Sequence, residues 1–248
     1  MINVKTVREI ELMRTAGRIV AETFERLNEV VKPGVTTKEL DRLAEEFIRK
    51  SGAHPAFKGY HGFPGSICAS INQVVVHGIP GQKVLNDGDI IGIDIGTIFE
   101  GYYGDAARTY TVGNVSEEAQ RLVRVTEESF FEGIKFAREG LRLSDISHAI
   151  QKHVEGNGFS IVRDYVGHGI GKVMHEELQI PNYGPPNRGP RLVEGMTLAI
   201  EPMVNQGTWK VKVLNDGWTV ETLDDMLSAH YENTILITKG EPEILTRL

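Results

Sequence analysis

Two carboxylates, Asp94 and Asp105, stand where charge is least welcome. Asp94 interrupts the run DIIGIDIGTIF, which is nearly continuous in isoleucine and reads as a strand buried on both faces. The next run, YYGDAARTYT, reads as its partner across a tight turn at Glu100-Gly101. A two-residue loop pairs Phe99 with Tyr102 and sets Asp94 opposite Ala107. Asp105 then shares a face with Asp94, a diagonal neighbour about 7–8 Å away between backbone positions. A three-residue loop would put the two on opposite faces. Unpaired, two such carboxylates would cost several kcal/mol or change their protonation. Basic partners or a metal ion offset that cost. Asp105 alone is also a turn-cap candidate, but the pair favours metal.

The elements that must carry these residues occur twice. Thr6-Val7-Arg8-Glu9 is a capping box opening a helix whose apolar stripe runs Val7, Ile10, Met13, Ala16, Val20, Phe24, Leu27 and Val31, stopped by Pro33-Gly34. Thr36-Thr37-Lys38-Glu39 caps a second helix with Leu40, Leu43, Ala44 and Phe47 on its inner face. Residues 53–66 read as loop, and Ser66 to His77 as strand. The order then restarts. Ser116 opens a helix carrying Leu122, Val125, Phe130, Ile134 and Phe136 or Ala137, with Gly140 as its stop; Leu143 to Ile146 opens another, ending near Gly156. Gly34 and Gly140, Leu40 and Ile146, and Gly52 and Gly158 are each 106 apart, and GDIIGID finds its counterpart in GMTLAIE. One catalytic domain, 1–248, is expected, built from pseudo-symmetric halves of about 1–113 and 114–248. The repeat equates Asp94 with Glu201 and Asp105 with Glu232, so four carboxylates can converge on the pseudo-axis.

Histidines complete the set. His168 lies in YVGHGIG, where flanking glycines allow backbone to approach closely and expose the ring. A lone histidine is more often structural than a ligand, and His77 and His175 carry no stronger signal from the residues alone. His54, His61, His148, His153 and His230 read as surface or structural. Four carboxylates and an imidazole suit hard-to-borderline cations rather than structural zinc, which favours thiolates. One divalent ion would leave two negative charges uncompensated; two ions balance all four and leave room for a bridging hydroxide. A pair about 3.5–4 Å apart generates a nucleophile at neutral pH, so hydrolysis is the natural reaction class.

Composition narrows the field. The chain is 40% hydrophobic and 25% charged with a net charge of -7, which argues against nucleic acid or an anionic membrane as main partner. Cys68 is the sole cysteine, so no internal disulfide forms and a reducing compartment, the cytoplasm, is expected. No apolar run approaches a membrane span, and the N-terminus lacks a signal-peptide core. There is no G-x-S-x-G elbow, P-loop or paired C-x-x-C.

In order and spacing, SINQVVVHGIP, DIIGIDIGTIFEGYYGDAART, YVGHGIGKVMHEE, MTLAIEPM, DGWTV and SAHYENTILIT resemble the bacterial-type type I methionine aminopeptidases along essentially the whole chain. The resemblance implies the duplicated α+β pita-bread fold, a curved antiparallel sheet with helices on its outer face. It makes Asp94, Asp105, His168, Glu201 and Glu232 ligands of two divalent ions (Co, Mn, Fe or Zn), with Asp105 and Glu232 bridging. It makes Glu201 the proton shuttle, and His77 and His175 the groups that hydrogen-bond the scissile amide and the tetrahedral oxygen. Phe57, Tyr60, Phe63, Cys68, Met174 and Trp218 would line a methionine pocket; departures from the family pattern at Phe57, Phe63 and Met174 bear on its shape, not on its apolar character. Asn72, Val74 and Ser228 match a monovalent-cation site of some relatives.

The implied substrate is a nascent polypeptide with a free N-terminal methionine and a small second residue. Action at the ribosome follows from that substrate, although no ribosome-binding element stands out, and a monomer is expected. Residues 1–6 leave no room for the extensions of eukaryotic type I enzymes, and thirty residues between Glu201 and Glu232 leave none for the type II insertion. Two readings compete: an Xaa-Pro peptidase of the same fold, and a catalytically inactive binding protein on it.

Overall fold

The structure, a computed structural model, describes residues 3–248. Helix α1, Val7–Asn28, opens on the expected capping box: Thr6 N–H donates to Glu9, whose own N–H donates back to the Thr6 hydroxyl. Its buried face begins at Met13; Val7, the first residue of the predicted stripe, is 77% exposed. The helix ends before Val31 and before Pro33-Gly34, yet Val31 still packs against the same core. Helix α2, Thr37–Lys50, carries the same box through Thr36 and Glu39. Leu40, Ala44 and Ile48 make its buried row, and Phe47 lies beside it, half-buried. Helices α3, Glu117–Ile134, and α4, Leu143–Gly156, follow as a second pair. Here too α3 stops short of its glycine, and of the two alternatives Ala137 is fully buried while Phe136 is 40% exposed.

Each helix pair builds its own core. Ile19, Val20, Phe24 and Leu27 of α1 meet Leu40, Ala44 and Ile48 of α2 and Ile91, Ile93 and Ile95. Leu122, Val125 and Phe130 of α3 meet Ile146, Ile150 and Val154 of α4 and Leu198, Ile200 and Ile235. The strands pair antiparallel in four groups, so the architecture is mixed helix and antiparallel sheet, the pita-bread fold.

The hairpin Ile90–Phe99 and Tyr102–Thr111 has the register that the sequence predicts. Phe99 pairs with Tyr102, Asp94 with Ala107, and Gly96 with Asp105. Its turn needs two left-handed residues, which Glu100 (φ 47°) and Gly101 (φ 80°) supply. Helix α1 lies flat on this hairpin because no side chain intervenes. A Cβ on Gly104 would sit 2.8 Å from the Gly17 nitrogen, and one on Gly17 would sit 2.2 Å from the Leu245 carbonyl oxygen. Thr97 ties the contact by donating its hydroxyl proton to the Ala16 carbonyl, 2.9 Å away.

The two helix pairs meet along a backbone seam. Ala107 and Glu232 exchange both main-chain hydrogen bonds, at 2.9 and 3.3 Å. On one side Thr234 brackets Asp105, accepting from its N–H and donating to its carbonyl. On the other, Thr109 does the same for His230. The seam therefore sets carboxylate-bearing residues of distant segments side by side.

Gly17→Ala gives a direct check on the α1 contact. Helix propensity alone would favour alanine by about 1 kcal/mol, but overpacking against a fixed carbonyl costs about 1–3 kcal/mol. The expected outcome is net destabilisation, seen as a lower denaturation midpoint at unchanged slope. A midpoint at or above the parent's would mean that α1 and the Leu245 segment can shift apart.

Candidate metal centre and substrate pocket

Asp94 and Asp105 project from neighbouring strands of the hairpin into one cavity. Glu201 enters it from a break in the chain: Thr197–Ile200 is strand, Pro202 cannot donate to a ladder, and strand resumes at Met203–Asn205. The fully buried Asn182 steadies that break by donating its amide to the Glu201 carbonyl at 3.1 Å. Glu232 arrives from the seam. His168 sits on the short strand Gly167–Gly169, and its neighbours are glycine for the reason expected: a Cβ on Gly167 would meet the Ala199 carbonyl oxygen at 2.4 Å. The ring's Nδ1 lies 3.0 Å from the Gly169 carbonyl, which holds the proton there and turns the Nε2 lone pair inward. Nε2 is 3.6 Å from Glu201 Oε1 and 3.9 Å from Asp105 Oδ2.

The cavity, about 170 Å³, is lined by all five predicted ligands together with His77, His175, Phe57, Tyr60, Phe63, Cys68, Met174 and Trp218. Its apolar wall is one cluster of Ala56, Phe57, Phe63, Cys68 and Met174, with Phe63 set edge-on to Trp218 at 5.2 Å. The Tyr60 hydroxyl is 2.8 Å from His175 Nδ1, and the His175 ring stands 4.2 Å from that of His168. His77 has φ 59°, a conformation strained for a non-glycine residue, and packs edge-on to Tyr165. The Asn72, Val74 and Ser228 segments also adjoin. Ser228 N–H donates to the Asn72 carbonyl, while the Ser228 hydroxyl donates to Asn205 and the Val204 carbonyl.

His230 corrects the sequence reading in part. Grouped there with surface or structural histidines, it is 4% exposed and faces the carboxylates, its Nε2 3.9 Å from both Glu201 Oε2 and Glu232 Oε2. A signal was available: in a strand, His230 shares a face with Glu232, two residues on. By contrast His54 and His61 are exposed, and His148 and His153 bond to Gly184 and Glu128 away from the cavity.

Electrostatics show what the cluster needs. Among the described residues no lysine or arginine pairs with any of the four carboxylates. The half-buried Arg108 points elsewhere, donating to the carbonyls of Ala107 and Glu232 and to Asn233, over the Tyr231 ring. Oxygens of Asp94, Asp105 and Glu232 are buried with no hydrogen-bond partner. Burial first, and then the neighbouring carboxylates, push Asp94, Glu201 and Glu232 well above the usual carboxylate range. Burial raises Asp105 to about 7. The imidazoles move oppositely: burial, then the neighbouring His175, lowers His168 to about 3 and His77 to about 4. Burial, followed by His77 and Arg108, lowers His230 to about 3. Neutral imidazoles and orphaned carboxylate oxygens are a donor set for divalent cations. Two groups have donor atoms close enough to share an ion, Asp105–His168–Glu232 and Glu201–His230–Glu232.

Comparison with known proteins agrees with this geometry. Residues 11–239 match the model of metallopeptidase family M24. The chain is 60% identical to methionine aminopeptidase 1 of Bacillus subtilis over 248 residues, covering 100% of both chains. It is also 60% identical to the methionine aminopeptidase of Clostridium perfringens, over 99% of each. Against the crystal structure of methionine aminopeptidase from Thermotoga maritima the TM-score is 0.99, at 49% identity and with full coverage of both chains. The protein belongs to metallopeptidase family M24. Within that family it is a member of the bacterial-type methionine aminopeptidases.

The raised carboxylates make cation binding proton-linked. Below their pKa values they hold protons that an incoming ion must displace, whereas the depressed histidines are already neutral and release nothing. Affinity for Mn(II) or Co(II) should therefore fall as pH drops through about 7, with protons released on binding. Calorimetry at about pH 6 in buffers of different ionisation heat counts them. Binding heats independent of the buffer would contradict the assignment.

Proposed function

We propose that this protein removes the N-terminal methionine from nascent polypeptides whose second residue is small. One observation carries the reading: four carboxylates, Asp105 and Glu232 buried and Asp94 and Glu201 nearly so, share a single cavity with three imidazoles and an apolar slot, and among the described residues none has a basic partner. In this reading Asp94, Asp105, His168, Glu201 and Glu232 hold two divalent ions, and the chain acts as one catalytic domain of two pseudo-symmetric halves. When bound, the ions supply an activated water at neutral pH and polarise the scissile carbonyl.

The chain's own residues do the rest. Glu201, at the cavity edge with its side chain 13% exposed, accepts a proton and passes it to the leaving amine. Half-buried His77 and the more exposed His175, both kept neutral by desolvation where they face the cavity, offer N–H donors to the amide and to its oxygen as negative charge develops there. The Tyr60 hydroxyl orients His175. Phe57, Phe63, Cys68, Met174 and Trp218 take the thioether side chain, for which a soft aromatic-lined wall is well matched. Burial and the nearby carboxylates push the Cys68 thiol well up, so it serves as wall rather than nucleophile.

The Xaa-Pro alternative is not favoured, given full-length relatives at 60% identity that are methionine aminopeptidases. Cobalt, manganese, iron and zinc all suit the donors. No helix among the described residues is long and apolar enough to cross a membrane; a cytoplasmic monomer acting on chains leaving the ribosome is the setting proposed.

Two measurements test this. Met-Ala-Ser should be cleaved far faster than Met-Lys-Ser, and equal rates would remove the small-residue rule. Glu201→Gln, compared at matched metal content, should lower kcat by roughly 10²–10⁴-fold with a much smaller change in KM. Unaltered kcat would exclude Glu201 from proton transfer.

A further inference from the structure

We propose that His230 is a sixth donor of the metal centre, its Nε2 binding the ion held between Glu201 and Glu232. The proposal rests on the metal centre described above and extends it. His230 is 4% exposed, and its Nε2 is buried without a hydrogen-bond partner. At 3.9 Å from Glu201 Oε2 and from Glu232 Oε2 it is beyond hydrogen-bond reach of either. Two donors on one ion, each about 2.0–2.1 Å from it, can be no more than about 4 Å apart. The spacing is thus too long for a direct bond and within range for a shared cation.

His168 offers an internal comparison. Its Nε2 stands 3.6 Å from Glu201 Oε1 and 3.9 Å from Asp105 Oδ2, the same relation to the carboxylates from the other side. Glu201 is therefore flanked by two imidazoles, one facing each oxygen. The candidate ion groups, Asp105–His168–Glu232 and Glu201–His230–Glu232, have Glu232 in common and one imidazole apiece. The main chain that carries His230 is fixed, its N–H and carbonyl both bonded to the Thr109 hydroxyl at 2.9 and 2.8 Å, and the ring it projects is 4% exposed. A second nitrogen donor makes the set more borderline in character and favours Co(II), Fe(II) or Zn(II) over Mn(II) at that position.

The test uses the full chain loaded anaerobically with two equivalents of Co(II), followed by proton NMR. An imidazole bound to Co(II) through Nε2 gives a strongly shifted, solvent-exchangeable Nδ1–H resonance. Two such resonances are expected in the wild type, one from His168 and one from His230. His230→Gln should lose one of them and bind the second Co(II) equivalent at least about tenfold more weakly by calorimetry. His168→Gln should lose the other. A single exchangeable resonance in the wild type, retained in His230→Gln, would overturn the proposal while leaving the metal centre intact. A wild-type protein that takes up no Co(II) would overturn the metal centre itself. The wild-type spectrum alone decides between one imidazole and two, whether or not either variant folds.

Discussion

Burying like charges without counter-charges is the constraint around which this structure is arranged. Asp94, Asp105, Glu201 and Glu232 share one cavity, and no lysine or arginine among the described residues pairs with them. A fold selected for stability alone would replace such a cluster with apolar side chains, since even a well-paired buried charge barely offsets its desolvation. The cluster persists because the surrounding backbone leaves it no freedom to disperse. The Ala107–Glu232 exchange fixes the two chain segments, Thr234 and Thr109 bracket Asp105 and His230, and α1 clamps the hairpin from behind through the Gly17–Gly104 contact. Rigidity in the second layer is what makes repulsion in the first useful.

The same arrangement explains why Arg108 does not spoil the site. A guanidinium one residue along from Ala107 is near enough to neutralise a carboxylate, and would then compete with a cation. It is turned to the opposite face instead, where carbonyl oxygens, Asn233 and the rings of Phe24 and Tyr231 satisfy it. Strand alternation decides this: Arg108 follows Ala107, so it points away from the face that Asp105 presents. One residue of slippage in the hairpin would bring the arginine inward and carry the aspartate out. The two-residue turn at Glu100-Gly101 is thus a determinant of chemistry as much as of topology.

Much of this was legible in the sequence, and for specific reasons. The hairpin register followed from a turn whose two left-handed positions admit few residues, and the helix starts followed from reciprocal Thr–Glu caps, which are local signals. Helix ends were less legible: α1 and α3 stop ahead of the glycines that would end them, and the chain leaves each through a turn of its own, Val30 and Val31 N–H donating to the Leu27 carbonyl and Ala137 N–H to that of Ile134. His77 and His175 carried no local mark, since their place depends on loops converging from distant segments, and only the family resemblance pointed to them. His230, read as surface or structural, proves to be buried. Alternation tied it to Glu232 and so marked its face, but the strand ends at His230, and only the fold shows the ring set among the carboxylates.

The pocket and the cluster form one device because their demands conflict. The apolar wall of Phe57, Phe63, Cys68 and Met174 lowers the local polarity, which strengthens every electrostatic interaction beside it and raises the carboxylates further. That is a cost to the metal-free protein and a gain to the loaded one, in which cation–carboxylate attraction is screened less. A more polar slot would relieve the cluster, yet it would weaken the hold on the ions and admit polar side chains in place of a thioether. Selectivity for an apolar side chain and retention of divalent ions therefore draw on the same exclusion of water, and a substitution that wets the wall should damage both together.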